Sequence, residues 1–291
     1  MNLYQLAESN IRKTRLLLFV FFIIFIGLGW LLAYVFDSLL ILIIAVVFSI
    51  GTSFTSYWFS DKIVLSMTGA KPIEKKDNPE LYRIVENLCI TTGLPLPKIY
   101  ILNEQQPNAF ATGRDQEHAV VAVTRGLLDK LDKAELEGVI AHELSHIRNK
   151  DMLLQTMIVV LAGVIAIVSN IFIRHGFRGR RNSKANPVMV IIGIVAIILA
   201  PIVANLIKLA ISRKREFLAD ASGALITRYP EGLASALEKI ASDPSPMKKK
   251  NTATAHLFIS NPFREKSFLV KLYSTHPPVE DRVKALRGMK V

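Results

Sequence analysis

The sequence predicts a mainly α-helical, multi-pass membrane protein with a small β-sheet, its polar helices running on into transmembrane helices. Three observations predict it. Residues 16–36, 38–60, 152–173 and 185–207 contain no charged side chain, and each covers about the 20 positions that a spanning helix needs. The chain is 51% hydrophobic yet carries 36 Lys and Arg against 24 Asp and Glu, a net charge of +12, with many basic residues flanking the apolar runs. Finally, VIAHELSHIRNKD at 139–151 runs directly into the third apolar run with no helix breaker between them.

The first run follows Arg12, Lys13 and Arg15 but is too long for a cleaved signal and has no small-residue cleavage site, so it reads as a retained anchor. Asp37 and Ser38 leave almost no room before the second run, which predicts a tight helical hairpin over 1–60. Basic residues lie before the first run and after the second, with none between them. The positive-inside rule then places the N-terminus and residues 61–151 in the cytoplasm. Between runs three and four lie Arg174, Arg178, Arg180, Arg181 and Lys184, which would face outward if both runs crossed. Four spans are expected; a hairpin lying in the bilayer or packed on the first pair would remove that conflict. The basic cluster also suits anionic lipid headgroups, or a solvated turn.

Residues 61–151 form the first part of a predicted globular domain. Helical spacing in 79–92 places Leu81, Ile84, Val85 and Leu88 on one face, and β-prone runs follow at 98–102, 109–112 and 119–123. The pattern from 133 to 150 is helical again and is expected to continue into 152–207, the second hydrophobic hairpin. Residues 208–291 complete the domain, with helices through 227 and over 230–242, and a mobile loop over 243–254. Cys89 is the only cysteine, which excludes an internal disulfide and a Cys-ligated zinc finger and fits a reducing compartment. No nucleic-acid motif accompanies the positive charge, so nucleic acid is not an expected partner.

His142 and His146 stand one turn apart on a helix, where two imidazoles reach a single tetrahedral zinc. Glu143 is rotated by about 100° from His142, beside the metal, where a carboxylate takes a proton from water. An exposed amphipathic helix with hydrogen-bonding histidines fits the bare spacing too. A catalytic site needs a third ligand, and Glu216 in SRKREFLADASG is the candidate. Asp220, one turn on, is placed to fix a ligand histidine's tautomer. The small residues beyond Glu216 point to close helix packing, and a hairpin of runs three and four would bring both helices to one membrane face.

AHELSHIRNKD, REFLADASGALITRYPEGLASALEKI, STHPPVEDRVKAL and PNAFATG together resemble the HtpX family of membrane zinc endopeptidases, distant relatives of the CAAX prenyl-proteases, over nearly the whole chain. The resemblance implies a zincin-like catalytic domain and one Zn2+ held by His142, His146 and Glu216, with Glu143 as general base and acid. It further implies degradation of damaged or misfolded membrane proteins at a bacterial cytoplasmic membrane. His276, in the His-Pro of THPP, becomes the candidate oxyanion stabiliser, or a histidine that merely packs beside two prolines. Arg282 is placed to anchor its helix by an ion pair. Asn108, Ala109 and Phe110 resemble the start of an edge strand that takes extended substrate by β-augmentation, though an internal hairpin fits as well. His118, His175 and His256 match no role and read as solvated. Two rivals are a non-catalytic, zinc-stabilised scaffold or chaperone and a zinc transporter. The transporter is disfavoured because all four apolar runs lack Asp, Glu and His.

Overall fold

The computed structural model describes residues 3–35, 37–176, 213–249, 251, 253–263 and 277–289. Two helices open the chain, α1 (Leu3–Val35) and α2 (Leu39–Trp58). Asp37 turns at φ 48°, and the Ser38 N–H donates to Ala33 O at 3.0 Å, which closes the hairpin. The two helices cross so closely that a Cβ on Gly29 would sit 2.2 Å from that of Ala45, the small-residue contact common between membrane helices. Among the described residues, these two helices alone are long and apolar enough to cross a membrane.

A short helix α3 (Ser60–Thr68) leads into a four-stranded sheet of β1 (Lys71–Pro72), β2 (Lys98–Leu102), β3 (Ala109–Thr112) and β4 (Val120–Thr124), ordered β1-β2-β4-β3. β2 and β4 run parallel and β3 is antiparallel to β4 at one edge. Side chains alternate across the sheet. Ile99, Ala109, Ala111, Val121 and Val123 enter the main core, and Leu102, Phe110 and Ala122 enter a second cluster with Val159, Met247 and Phe258.

On the main-core side lie α4 (Pro79–Thr92), α5 (Arg125–Lys130), α6 (Lys133–Arg148), α8 (Arg213–Thr227), α9 (Pro230–Ser242) and α10 (Val279–Arg287). Asn78 caps α4 through Leu81 N at 3.0 Å with Pro79 following, and the predicted face Leu81, Ile84, Val85 and Leu88 is buried. Asp132 and Glu135 form a capping box that fixes the start of α6. Glu135 also takes the Ser235 hydroxyl and the Lys239 ammonium, clamping α9 onto α6.

One expectation is corrected. The site helix does not run unbroken into the third apolar run: α6 ends at Arg148, Lys150 adopts φ 54°, and α7 (Asp151–Gly176) starts afresh. The Asn149 carbonyl freed by this break accepts from Asn10 Nδ2 of α1 at 3.2 Å. The first turns of α7, from Met152 to Leu161, are covered by protein, with Leu153, Leu154, Met157, Ile158 and Leu161 packed on Leu17, Phe21 and Phe25 of α1. Side chains beyond Val164, the basic cluster over 177–184 and the run 185–207 lie outside the described residues, as does any continuity of α8 with that run.

A second correction concerns the described residues of 243–254, which are anchored. Met247 is buried, Glu104 accepts from the Lys248 and Lys249 N–H groups at 2.7 and 3.1 Å, and Asp243 pairs with Lys130.

Candidate active site

Three buried side chains, His142, His146 and Glu216, bring one ligand atom each to within 4.8 Å of the others. His142 Nε2 and His146 Nε2 are 3.2 Å apart, and Glu216 oxygens lie 3.8 Å from each. Zinc with bonds of about 2.0–2.1 Å at tetrahedral angles separates its ligand atoms by about 3.3 Å, so the triangle has the size of a metal site.

Helix packing explains how residues seventy positions apart meet. A Cβ on Gly223 of α8 would lie 3.0 Å from His142 N, so α8 approaches α6 as closely as a bare backbone allows. Two turns before Gly223 on the same face stands Glu216. Gly223→Ala is therefore expected to weaken zinc binding, because overpacking pushes the Glu216 helix off the histidines at about 1–3 kcal/mol. Competition with a chelating dye measures this; unchanged affinity would mean that this contact does not set the ligand geometry.

Each histidine's other nitrogen faces a carboxylate. His142 Nδ1 lies 3.0 Å from Asp220 Oδ1, and His146 Nδ1 is 3.1 Å from both oxygens of Asp151. Such partners orient metal-ligating imidazoles. The break after α6 returns Asp151 to His146, five residues on, where an unbroken helix would carry it away. Asp220 is gripped in turn by the fully buried Arg282, through Nε to Oδ2 at 2.8 Å and Nη2 to Oδ1 at 2.6 Å, so Arg282 does anchor α10 by an ion pair.

Buried carboxylates crowd this centre: Glu143, Asp151, Glu216 and Asp220 outnumber the buried guanidiniums of Arg215 and Arg282. Against the opposing effect of burial, Asp151, Glu216 and Glu143 raise His146 to about 10, so the carboxylates attract positive charge to this imidazole. Burial lowers the pKa of His142, toward the neutral form a metal needs, with His146 and Arg282 adding to the effect against Asp220. Burial pushes Glu143 up to about 7, with Glu216 adding to it while His146, Arg282 and the Ala111 N–H oppose. A carboxyl titrating near neutrality is matched to both accepting and releasing a proton.

β3 lies at the sheet edge beside this centre, with the Ala111 backbone facing Glu143. Its beginning is already paired within the chain. Ile259 N donates to Ala109 O at 3.0 Å, Asn108 Nδ2 donates to Ser260 O at 2.8 Å, and Asn108 Oδ1 accepts from Ser260 N at 3.2 Å. Phe110 points away from the metal triangle, edge-to-face on Phe258. His256, expected to be solvated, is buried with Nε2 3.3 Å from Gln155 O, because the 3-10 turn Ala255–Leu257 packs beneath the sheet. His118 is half-exposed and bonded to Asp115. His276 and the side chain of His175 lie outside the described residues.

Residues 75–290 match the family model described as Peptidase family M48. The chain is 43% identical over 297 residues to a Protease HtpX homolog of Caldanaerobacter subterraneus subsp. tengcongensis, covering 99% of this chain and 98% of that one. It is 52% identical over 248 residues to a Protease HtpX homolog of Pyrococcus furiosus, covering 84% of this chain and 86% of the other. Among solved structures, S. mikatae Ste24p aligns at a TM-score of 0.49 and 19% identity, over 97% of this chain and 67% of that chain.

Proposed function

The chain belongs to peptidase family M48 and is a metalloprotease, and we propose that it is an integral-membrane zinc endopeptidase cleaving misfolded or damaged membrane proteins at the cytoplasmic face of a bacterial inner membrane. The observation that carries this reading is the buried His142–His146–Glu216 triangle with Glu143 beside it, at the base of two apolar helices. In this reading 61–151 and 208–291 together form the zincin-like catalytic domain, 1–60 is the anchoring hairpin, and 152–207 is a second hydrophobic hairpin. Residues Arg174 to Lys184 face anionic lipid.

His142, His146 and Glu216 would hold a zinc ion, which when bound would supply the Lewis acidity that polarises a carbonyl and acidifies water. Glu143 takes the proton of the attacking water and passes it to the departing amine. Asp220 and Asp151 steady the two imidazoles. An extended substrate adds to the outer edge of β3 at Asn108, Ala109 and Phe110, exchanging with the pairing that Ile259 and Ser260 make there. His276 is assigned to the developing oxyanion. A purely structural zinc site has no use for Glu143, which disfavours the scaffold reading.

Chelation tests the metal requirement. In proteoliposomes carrying a destabilised membrane protein, a zinc chelator is expected to stop cleavage and stoichiometric zinc to restore it. Cleavage that persists in protein stripped of metal would sink the proposal.

A further inference from the structure

At the end of α2 remote from the hairpin turn, Phe54, Trp58 and Phe59 are 59%, 44% and 42% exposed. With Asp61, Lys62, Lys98, Arg114 and His118 they line an open cavity of about 520 Å³. Cations cover the rings: the Arg114 guanidinium is 4.8 Å from the Trp58 ring centre, and Lys62 Nζ is 5.2 Å from that of Phe59.

Arg114 has three hydrogen-bond partners. Nη1 donates to Trp58 O at 3.4 Å, Nε to Asp115 Oδ2 at 3.2 Å, and Nη2 to His118 Nε2 at 2.6 Å. Because that last contact makes Nε2 the acceptor, Nδ1 carries the proton and donates to Asp115 Oδ1 at 2.6 Å. Lys62 and Lys98 are exposed, and neither has a carboxylate within ion-pair distance among the described residues. Counting Asp115, which pairs with Arg114 just behind the lining, three cations stand against two carboxylates, and Lys62 and Lys98 are the cations with no carboxylate at hand.

Position supplies the second argument. The 20 residues of α2 rise about 30 Å, the thickness of a bilayer's hydrocarbon core. Trp30 and Tyr34 stack near the hairpin end, and Tyr57 and Trp58 mark the other, as aromatic belts do. The cavity therefore opens at headgroup depth, with an apolar wall toward the helix and a cationic wall toward the globular domain.

We propose that this cavity binds the phosphate-bearing headgroup of an anionic phospholipid, the phosphate between Lys62, Lys98 and Arg114 and an acyl chain along Phe54. The inference rests on the membrane-spanning reading of α1 and α2. It concerns a site separate from the metal centre and from the Arg174–Lys184 cluster.

The test is native mass spectrometry of the full-length protein released from nanodiscs of mixed phosphatidylglycerol and phosphatidylcholine, comparing wild type with Lys62→Gln/Lys98→Gln. Both lysines are exposed, so the substitutions spare the core. Wild type is expected to retain phosphatidylglycerol preferentially and the double variant to lose that preference by about tenfold or more, each lysine near a charged surface being a separate attraction. Equal retention by the two proteins, or no headgroup preference in wild type, overturns the proposal. Inorganic phosphate at millimolar concentration that displaces the lipid fully would also overturn it, by showing a general phosphate site. Loss of cleavage of an acid-rich peptide in lipid-free detergent on the same substitutions would make the cavity a peptide-docking site instead. Carbonate extraction of wild type from vesicles separates a failure of the membrane reading from a failure of the site.

Discussion

Glu143→Gln is expected to retain one zinc per chain and to lose cleavage by at least about 100-fold, in the range that removing a general acid-base group produces. Glutamine keeps the size and shape of the buried side chain, so the packing around α6 is preserved. The metal ligands are untouched, because Glu143 is not one of the three residues, His142, His146 and Glu216, whose ligand atoms converge. What is lost is the proton acceptor, since an amide neither takes a proton from water nor returns one to an amine. Elemental analysis and cleavage of a membrane-protein substrate, run side by side on the purified proteins, decide the matter. A variant that binds zinc and still cleaves at the wild-type rate removes Glu143 from the mechanism. A variant that loses zinc as well assigns the residue to the metal instead.

The site was more legible in the sequence than its supports were. His142 and His146 are one helical turn apart, and Glu216 shares a face with Gly223, so local periodicity alone brings each pair into line. The α1–α2 hairpin was equally legible, because long uncharged runs have few alternatives to lipid. Asp151 was not. Its role depends on Lys150 taking a positive φ, which nothing in N-K-D demands; the gain that favours the break is the carboxylate returned to His146 and the Asn149 carbonyl paired with Asn10. Residues 243–260 were missed for a related reason. Their anchors, Glu104, Asn108 and Gln155, lie a hundred or more residues away, so local composition reads only the prolines and lysines. The carboxylate partner of Arg282, by contrast, was open to any acid in reach, and long-range packing selected Asp220.

That pairing has the largest expected effect on stability. Arg282 is wholly buried and its two contacts with Asp220 form a bidentate clamp, so Arg282→Met leaves a buried carboxylate facing only His142. Breaking such a pair from one side costs about 3–5 kcal/mol, which corresponds to roughly 10 °C or more in melting temperature for a domain of this size. Burial by itself would raise the Asp220 carboxyl, yet Arg282, with His142 helping, holds it down to about 2. A carboxyl depressed in this way stabilises the fold above its ordinary value near 3.8, and the contribution drains as the pH falls toward 2. The loss in Arg282→Met should therefore be full at neutral pH and shrink in acid. Adding Asp220→Leu removes the stranded charge, and replacing both partners by apolar groups recovers most of the stability. It does not recover the metal site, because His142 then has no carboxylate at Nδ1, and zinc affinity stays about 10–100-fold below wild type. Melting in detergent and zinc competition on the single and double variants separate the two roles. If Arg282→Met melts within a degree of wild type, the clamp contributes nothing to stability, and if the double variant binds zinc as tightly as wild type, Asp220 does not position His142.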